Sequence, residues 1–208
     1  HGCQLDTTVT LQNPLGITID TAYFTNITCH NANDGTITIV GIGGTGDLEY
    51  TLWDSDSVTT QTNNGEFLGL AEGTYYVIVD DSNSCPQDTS SNITINNPPL
   101  LEITSESFSD ITCHNYNDGI ITIVAQGGTG SLLFSIGNSN NPFSADSSNS
   151  TGTFINLPQG DYYIQVTDTN NCDSISNKIT ITNPDSLTIT SLDSTNASCN
   201  GLSDGSIS

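Results

Sequence analysis

Apolar residues alternate with Thr or other polar residues in short runs: Ile37-Thr38-Ile39-Val40, Tyr75/Val77/Val79 and Ile93-Thr94-Ile95, then Ile121-Thr122-Ile123-Val124, Tyr162/Ile164/Val166 and Ile179-Thr180-Ile181. A period of two puts one set of side chains on one face of a strand, so each run predicts a half-buried β-strand. Ile17 and Ile19, matched by Leu101 and Ile103, open a first strand. Gly43-Gly44-Thr45-Gly46 turns the second strand into a third, Leu48 to Trp53, matched by Leu132 to Ile136. A polar stretch of variable length follows, as in a surface loop. The pattern predicts six or seven strands per copy, named here A to G.

The runs come in order twice, so the chain is repetitive, and the repeat defines the structural unit. Cys29-His30-Asn31-Ala32-Asn33-Asp34-Gly35 returns 84 positions later as Cys113-His114-Asn115-Tyr116-Asn117-Asp118-Gly119, and a third copy opens at Ser198-Cys199-Asn200 with Asp204-Gly205. Each copy closes on Asn-Pro, where proline ends the ladder. The expected organisation is therefore the end of a preceding repeat over 1–14, full repeats over 15–98 and 99–184, and the start of a following repeat over 185–208. Export signals and any anchor are expected outside these residues.

Leu70-Ala71-Glu72-Gly73-Thr74-Tyr75 and Leu157-Pro158-Gln159-Gly160-Asp161-Tyr162 both read Leu-x-x-Gly-x-Tyr ahead of a strand. That resembles the tyrosine corner of immunoglobulin-like sandwiches, where the Tyr hydroxyl bonds back across the corner. The predicted fold is all-β: tandem immunoglobulin-like β-sandwich repeats of about 85 residues. Cys-x-Asn-x-x-Asp-Gly, the Gly-Gly-Thr-Gly turn, Phe67 or Phe154 before Leu-x-x-Gly-x-Tyr, Asp81 or Asp168 ahead of Cys85 or Cys172, and the closing Ile-x-Ile-x-Asn-Pro together resemble the SprB repeat. The resemblance implies a very large cell-surface adhesin of gliding Bacteroidetes, exported by type IX secretion, with no catalytic residues.

Charge narrows the partners. One Lys, no Arg and 23 acidic residues give a net charge of -22, which excludes nucleic-acid binding by counterion release and opposes anionic lipid. No apolar run is long enough to span a membrane. Cations, sugars, neighbouring repeats and covalent glycans remain as partners. Ser, His and acidic residues form no nucleophile–base–acid arrangement, so an enzyme is not expected.

Six cysteines at matching places imply an oxidising compartment. If the A–B and F–G loops share one end of a sandwich, Cys29 meets Cys85 and Cys113 meets Cys172, with Cys3 and Cys199 left without partners here. Cys3–Cys29, Cys85–Cys113 and Cys172–Cys199 would instead bridge neighbours across a whole domain. The same arrangement would bring Asn33 and Asp34 to Asp80, Asp81 and Asn83, and Asn117 and Asp118 to Asp168 and Asn170, oxygens of the kind calcium takes; the alternative is a tight Asn-Asp-Gly turn. Zinc at His30 and His114 is disfavoured because the third copy has Asn200 there.

Tyr76 and Tyr163, on the outer face, would be the stacking residues of a carbohydrate-binding module, or else cross-strand packing partners. Asp-Ser/Thr followed by an apolar residue or Thr, the O-glycosylation pattern of the bacterial group the resemblance points to, marks Thr7, Thr21, Ser57, Ser174, Ser186 and Ser194. The expected function is a structural or adhesive extracellular fibre, with a carbohydrate-binding adhesin module or a pilus-like subunit as alternatives.

Overall fold

The computed structural model describes residues 2, 7–54, 61–138 and 147–208. The first copy contributes β1 (Thr18–Thr25), β2 (Gly35–Ile42), β3 (Leu48–Asp54), β4 (Gln61–Asn63), β5 (Glu66–Leu70), β6 (Gly73–Asp81), β7 (Asp88–Thr89) and β8 (Ile93–Ile95). They form two sheets, ordered β1-β2-β5 and β4-β3-β6-β7, with β8 also on β6. This is the strand order of an immunoglobulin-like sandwich: A, B and E in one sheet, C, F and G in the other. The second copy repeats it with β9 (Glu102–Ser109), β10 (Gly119–Gln126), β11 (Leu133–Asn138), β12 (Ser147–Asn149), β13 (Thr153–Leu157), β14 (Gly160–Thr167), β15 (Asp173–Ile175) and β16 (Ile179–Ile181), in sheets β13-β10-β9 and β12-β11-β14-β15 with β16 on β14. A last pair, β17 (Ser194–Thr195) and β18 (Ser206–Ile207), is antiparallel.

The chain divides into two compact units. One takes residues 1–102 with the loops 126–132 and 167–173; the other takes 103–125, 133–166 and 174–208. The core of the first is the face the alternation predicts: Ile37 and Ile39 of β2, Tyr50 and Leu52 of β3, Phe67 and Leu70 of β5, Val77 and Val79 of β6, and Ile93 and Ile95 of β8. Ile121, Ile123, Phe134, Ile136, Phe154, Ile164, Val166, Ile179 and Ile181 are their buried counterparts in the second copy.

Two glycine turns are dictated by close approach. Gly43 and Gly127 have φ of 86° and 83°, and a Cβ there would stand 2.1 Å from the Gly16 carbonyl oxygen and 1.8 Å from that of Leu100. No L side chain fits such a gap, and the left-handed backbone disfavours one as well. The adjoining amides complete the turns, Gly44 N–H donating to Leu15 and Gly128 N–H to Pro99, each at 3.0 Å.

The tyrosine corner is present in both copies. Tyr75 donates its hydroxyl to the Ala71 carbonyl at 3.1 Å, and Tyr162 donates to the Pro158 carbonyl at 2.9 Å. Tyr75→Phe keeps the ring in the core and removes only this bond, so a loss of about 1 kcal/mol is expected in a urea melt. A variant as stable as the parent would leave the corner without an energetic role.

Candidate functional site

The residues with chemistry to offer cluster in two kinds of loop, and the strand order decides where these lie. Chain direction reverses at every connection, so the A–B loop, the first, and the F–G loop, the sixth, fall at opposite ends of a sandwich. In the first copy, Gly35 at the start of β2 pairs with Leu70, whereas Asp81 at the end of β6 pairs with Leu48 beyond the β2–β3 turn. The eight residues of β2 separate the two ends by roughly 26 Å at ~3.3 Å per residue. Cys29 therefore does not reach Cys85.

The pairing expected from sequence is corrected accordingly. Cys29 is bonded to Cys172, 143 positions away, with a Cα–Cα distance of 5.6 Å, while Cys85 and Cys113 are free thiols, as is Cys199. Cys3 lies outside the described residues. Both partners of the bond lie in the first compact unit, because that unit includes the 167–173 loop.

The same geometry removes the expected calcium cluster. Asp34 accepts the Thr28 amide at 2.9 Å and the Thr28 hydroxyl, and Asp118 does the same for Thr112 and Asp204 for Ser198. Asp81 and Asp168 are buried at the other kind of loop. Asp81 accepts amides from Cys85 at 2.8 Å, Thr45 at 2.8 Å and Asn83 at 3.1 Å; Asp168 accepts from Cys172 at 2.9 Å, Thr129 at 2.7 Å and Asn170 at 2.8 Å. Asp80 lies on the other face of β6, across from Glu49. Among the described residues no three His, Cys, Asp or Glu side chains converge as metal ligands do. These carboxylates organise loops, and Asp81 and Asp168 hold the backbone of the F–G cysteines.

The A–B loop is pinned at a second point. Asn31 donates its amide to the Asn97 side chain, and Asn97 returns its own NH2 to Asn31, both at 2.9 Å; Asn115 and Asn183 repeat the exchange. His30 Nδ1 donates to the Pro98 carbonyl at 2.8 Å, and His114 Nδ1 to that of Pro184 at 2.9 Å. The Asn before the closing proline is thus a clamp on the cysteine loop as well as the end of the repeat. Its signal in the sequence was the joint recurrence of Asn31 with Asn97 and Asn115 with Asn183. Asn31 and Asn115 sit at φ of 61° and 60°, and the third copy places Gly201 there at φ 89°. Asn and Gly are the residues that tolerate this backbone.

Hydrogen bonds lower the affinity of Asp34, Asp81, Asp118 and Asp204 for protons. The Thr28 hydroxyl, then its amide, holds Asp34 below its ordinary 3.8; Thr112 acts likewise on Asp118 and Ser198 on Asp204. Cys85, through its side chain and then its amide, with the Thr45 amide, holds Asp81 well below the usual carboxylate range. A depressed native value means that the bond stabilises fully above the unfolded value and is lost as pH falls through the native one. The urea midpoint is therefore expected to hold from about pH 7 to about pH 5 and to drop below about pH 4. A midpoint that rises on acidification contradicts this assignment.

The outer aromatic face is partly occupied. The rings of Tyr76 and Trp53, directly opposite on β6 and β3, stack at 6.2 Å with 5° between planes. Tyr76 is a cross-strand packing partner, half-buried as is Tyr163. Of the glycosylation candidates, Thr7, Ser186 and Ser194 are exposed, Thr21 and Ser174 are half-buried on β1 and β15, and Ser57 lies outside the described residues.

Residues 105–141 match the family model of the SprB repeat, from β9 into the segment after β11, so the resemblance carried by the motifs holds over that stretch. No curated protein is significantly similar to the chain. Among solved structures it is similar to three N-terminal domains of the highly immunogenic outer capsid protein Hoc of bacteriophage RB49, at 12% identity and TM-score 0.43, covering 80% of this chain and 58% of that one. It is similar to the C-terminal 282-residue fragment of intimin, solved with the intimin-binding domain of the translocated intimin receptor, at 17% identity and TM-score 0.44, covering 80% and 64%. Immunoglobulin domains 1–5 of Sidekick-1 match at 12% identity and TM-score 0.44, covering 82% and 39%. The chain thus spans less than two thirds of each of these fragments.

Proposed function

We propose that this chain is a stretch of a structural and adhesive fibre on the outside of the cell, built of tandem, disulfide-stapled immunoglobulin-like repeats that carry O-linked glycans. The observation that carries the reading is the Cys29–Cys172 bond, which ties the A–B loop of one sequence copy to the F–G loop of the next. Such bonds persist where the surroundings are oxidising, outside the cytosol. A string of small sandwiches resists extension better when covalent links join successive copies, and a spacer or adhesin needs no reactive centre. The SprB-repeat match supports the same reading. No helix among the described residues is long and apolar enough to cross a membrane.

The repeats are taken as 15–98 and 99–184, flanked by parts of further copies over 1–14 and 185–208. Glycans at exposed Thr7, Ser186 and Ser194 would solubilise a surface poor in basic residues and shield strand edges from pairing with other fibres. The partners are neighbouring repeats and, at the cell surface, polysaccharide. Immunogold labelling of intact cells with antibody against residues 15–184 tests the reading: gold on unbroken cells is expected, and gold only after permeabilisation overturns it. Intact mass of the native protein tests the glycans, since a mass equal to the bare polypeptide removes them.

A further inference from the structure

The free cysteines are not equivalent to one another, and the bonded pair shows what each lacks. Cys113 occupies the A–B loop of the second copy, as Cys29 does in the first, and every anchor of the loop recurs: Asp118 on Thr112, Asn183 on Asn115 and the Pro184 carbonyl on His114. Cys85 occupies the F–G loop of the first copy, as Cys172 does in the second, with Asp81 holding its amide as Asp168 holds that of Cys172. One loop of each kind makes the observed bond. We infer that Cys113 and Cys85 are open halves of the same staple: Cys113 takes the F–G cysteine of a following repeat, and Cys85 the A–B cysteine of a preceding one.

Three observations support this beyond the thiols themselves. Within the first unit, Asn170 reaches across from beside Cys172 to donate to the Thr28 carbonyl next to Cys29, at 3.0 Å. Its counterpart Asn83, beside free Cys85, donates instead to the Thr45 carbonyl at 3.1 Å and hydroxyl at 2.9 Å, within its own copy. Beside Cys113, an open cleft of about 420 Å³ runs between Thr112, His114 and Pro184 to Leu187. The corresponding residues one copy earlier, Cys29, His30, Leu100 and Leu101, line a smaller cleft whose other wall is Asn171, Cys172 and Asp173 of the F–G loop. The second A–B loop thus presents the shape that receives an F–G loop, with its thiol exposed.

The partner is recognised by chemistry. For Cys113 it is a cysteine four residues after an Asp, as Cys85 follows Asp81 and Cys172 follows Asp168; for Cys85 it is a cysteine five residues before Asp-Gly, as in Cys29, Cys113 and Cys199. Closing each staple removes two protons and two electrons from two thiols. Both pass to the disulfide of an exported thiol oxidoreductase, which leaves as a dithiol while one S–S bond forms in the fibre. The rule extends to Cys199, an A–B cysteine, and yields a chain in which every copy is bonded to the next.

The inference rests on the tandem-fibre reading, and its test is separate from surface labelling. Native protein released from cells is treated with iodoacetamide without reductant, digested before aspartate and read by mass spectrometry. The peptides Asp110–Asn117 and Asp81–Gln87, which hold Cys113 and Cys85, are expected only as disulfides, each joined to a peptide of the stated pattern from outside residues 1–208. Recovery of either peptide alkylated, or of Cys85 joined to Cys29 or Cys113, overturns the inference even where gold labels the intact cell.

Discussion

Replacing both Cys29 and Cys172 with Ser is expected to lower the stability of the chain by about 5 kcal/mol, from the loop entropy a cross-link over 143 positions removes from the unfolded state. The figure is a ceiling, reached where the whole closed loop unfolds as one. Changing both partners leaves no lone thiol to mispair, and adding reductant to the parent should bring its urea curve onto that of the variant. Cys85→Ser and Cys113→Ser, which break no disulfide within this chain, should each stay within about 0.5 kcal/mol of the parent. If Cys85→Ser destabilises as much as the double change, the staple is elsewhere.

Phe67→Ala is expected to cost about 4 kcal/mol, within the 3–5 kcal/mol typical of truncating a buried Phe. Phe67 is wholly inaccessible, on β5 facing the second sheet, and opposes Ile37 of β2. Its loss leaves a void that two hydrogen-bonded sheets cannot collapse to fill. Phe154→Ala should act likewise in the second unit, where the ring is 4% exposed and opposes Ile121. Leu68, one residue along and 65% exposed, is the control, and Leu68→Ala should change the urea midpoint little. Equal effects of Phe67→Ala and Leu68→Ala would mean that the two faces of β5 are wrongly assigned.

The inner faces were legible because strand burial obeys a local rule. Ile37 and Ile39, Val77 and Val79, and Ile93 and Ile95 alternate with polar or outward neighbours, and each lies in the core. The tyrosine corner and the glycine turns were legible for a similar reason, since a hydroxyl reaching four residues back and a Cβ-free turn leave fixed letters at fixed spacing. The cysteine pairing was not legible from local pattern. It depends on the parity of strand reversals, and counting six connections from the A–B loop to the F–G loop puts Cys29 and Cys85 at opposite ends. The calcium expectation failed by the same miscount, since it required Asp34 and Asp81 to meet. The strand alternation also conceals the length of β1, which a register shift between Ile19 and Thr21 carries on to Thr25 with Tyr23 and Phe24 exposed.

The most direct measurement is the disulfide map of residues 1–208 themselves, blocked with iodoacetamide and cleaved before aspartate without reduction. Asp20–Asn33, holding Cys29, is expected joined to Asp168–Cys172, with Cys85 and Cys113 alkylated. Cys29 joined to Cys85, with Cys113 joined to Cys172, would contradict this and confine every staple to a single copy.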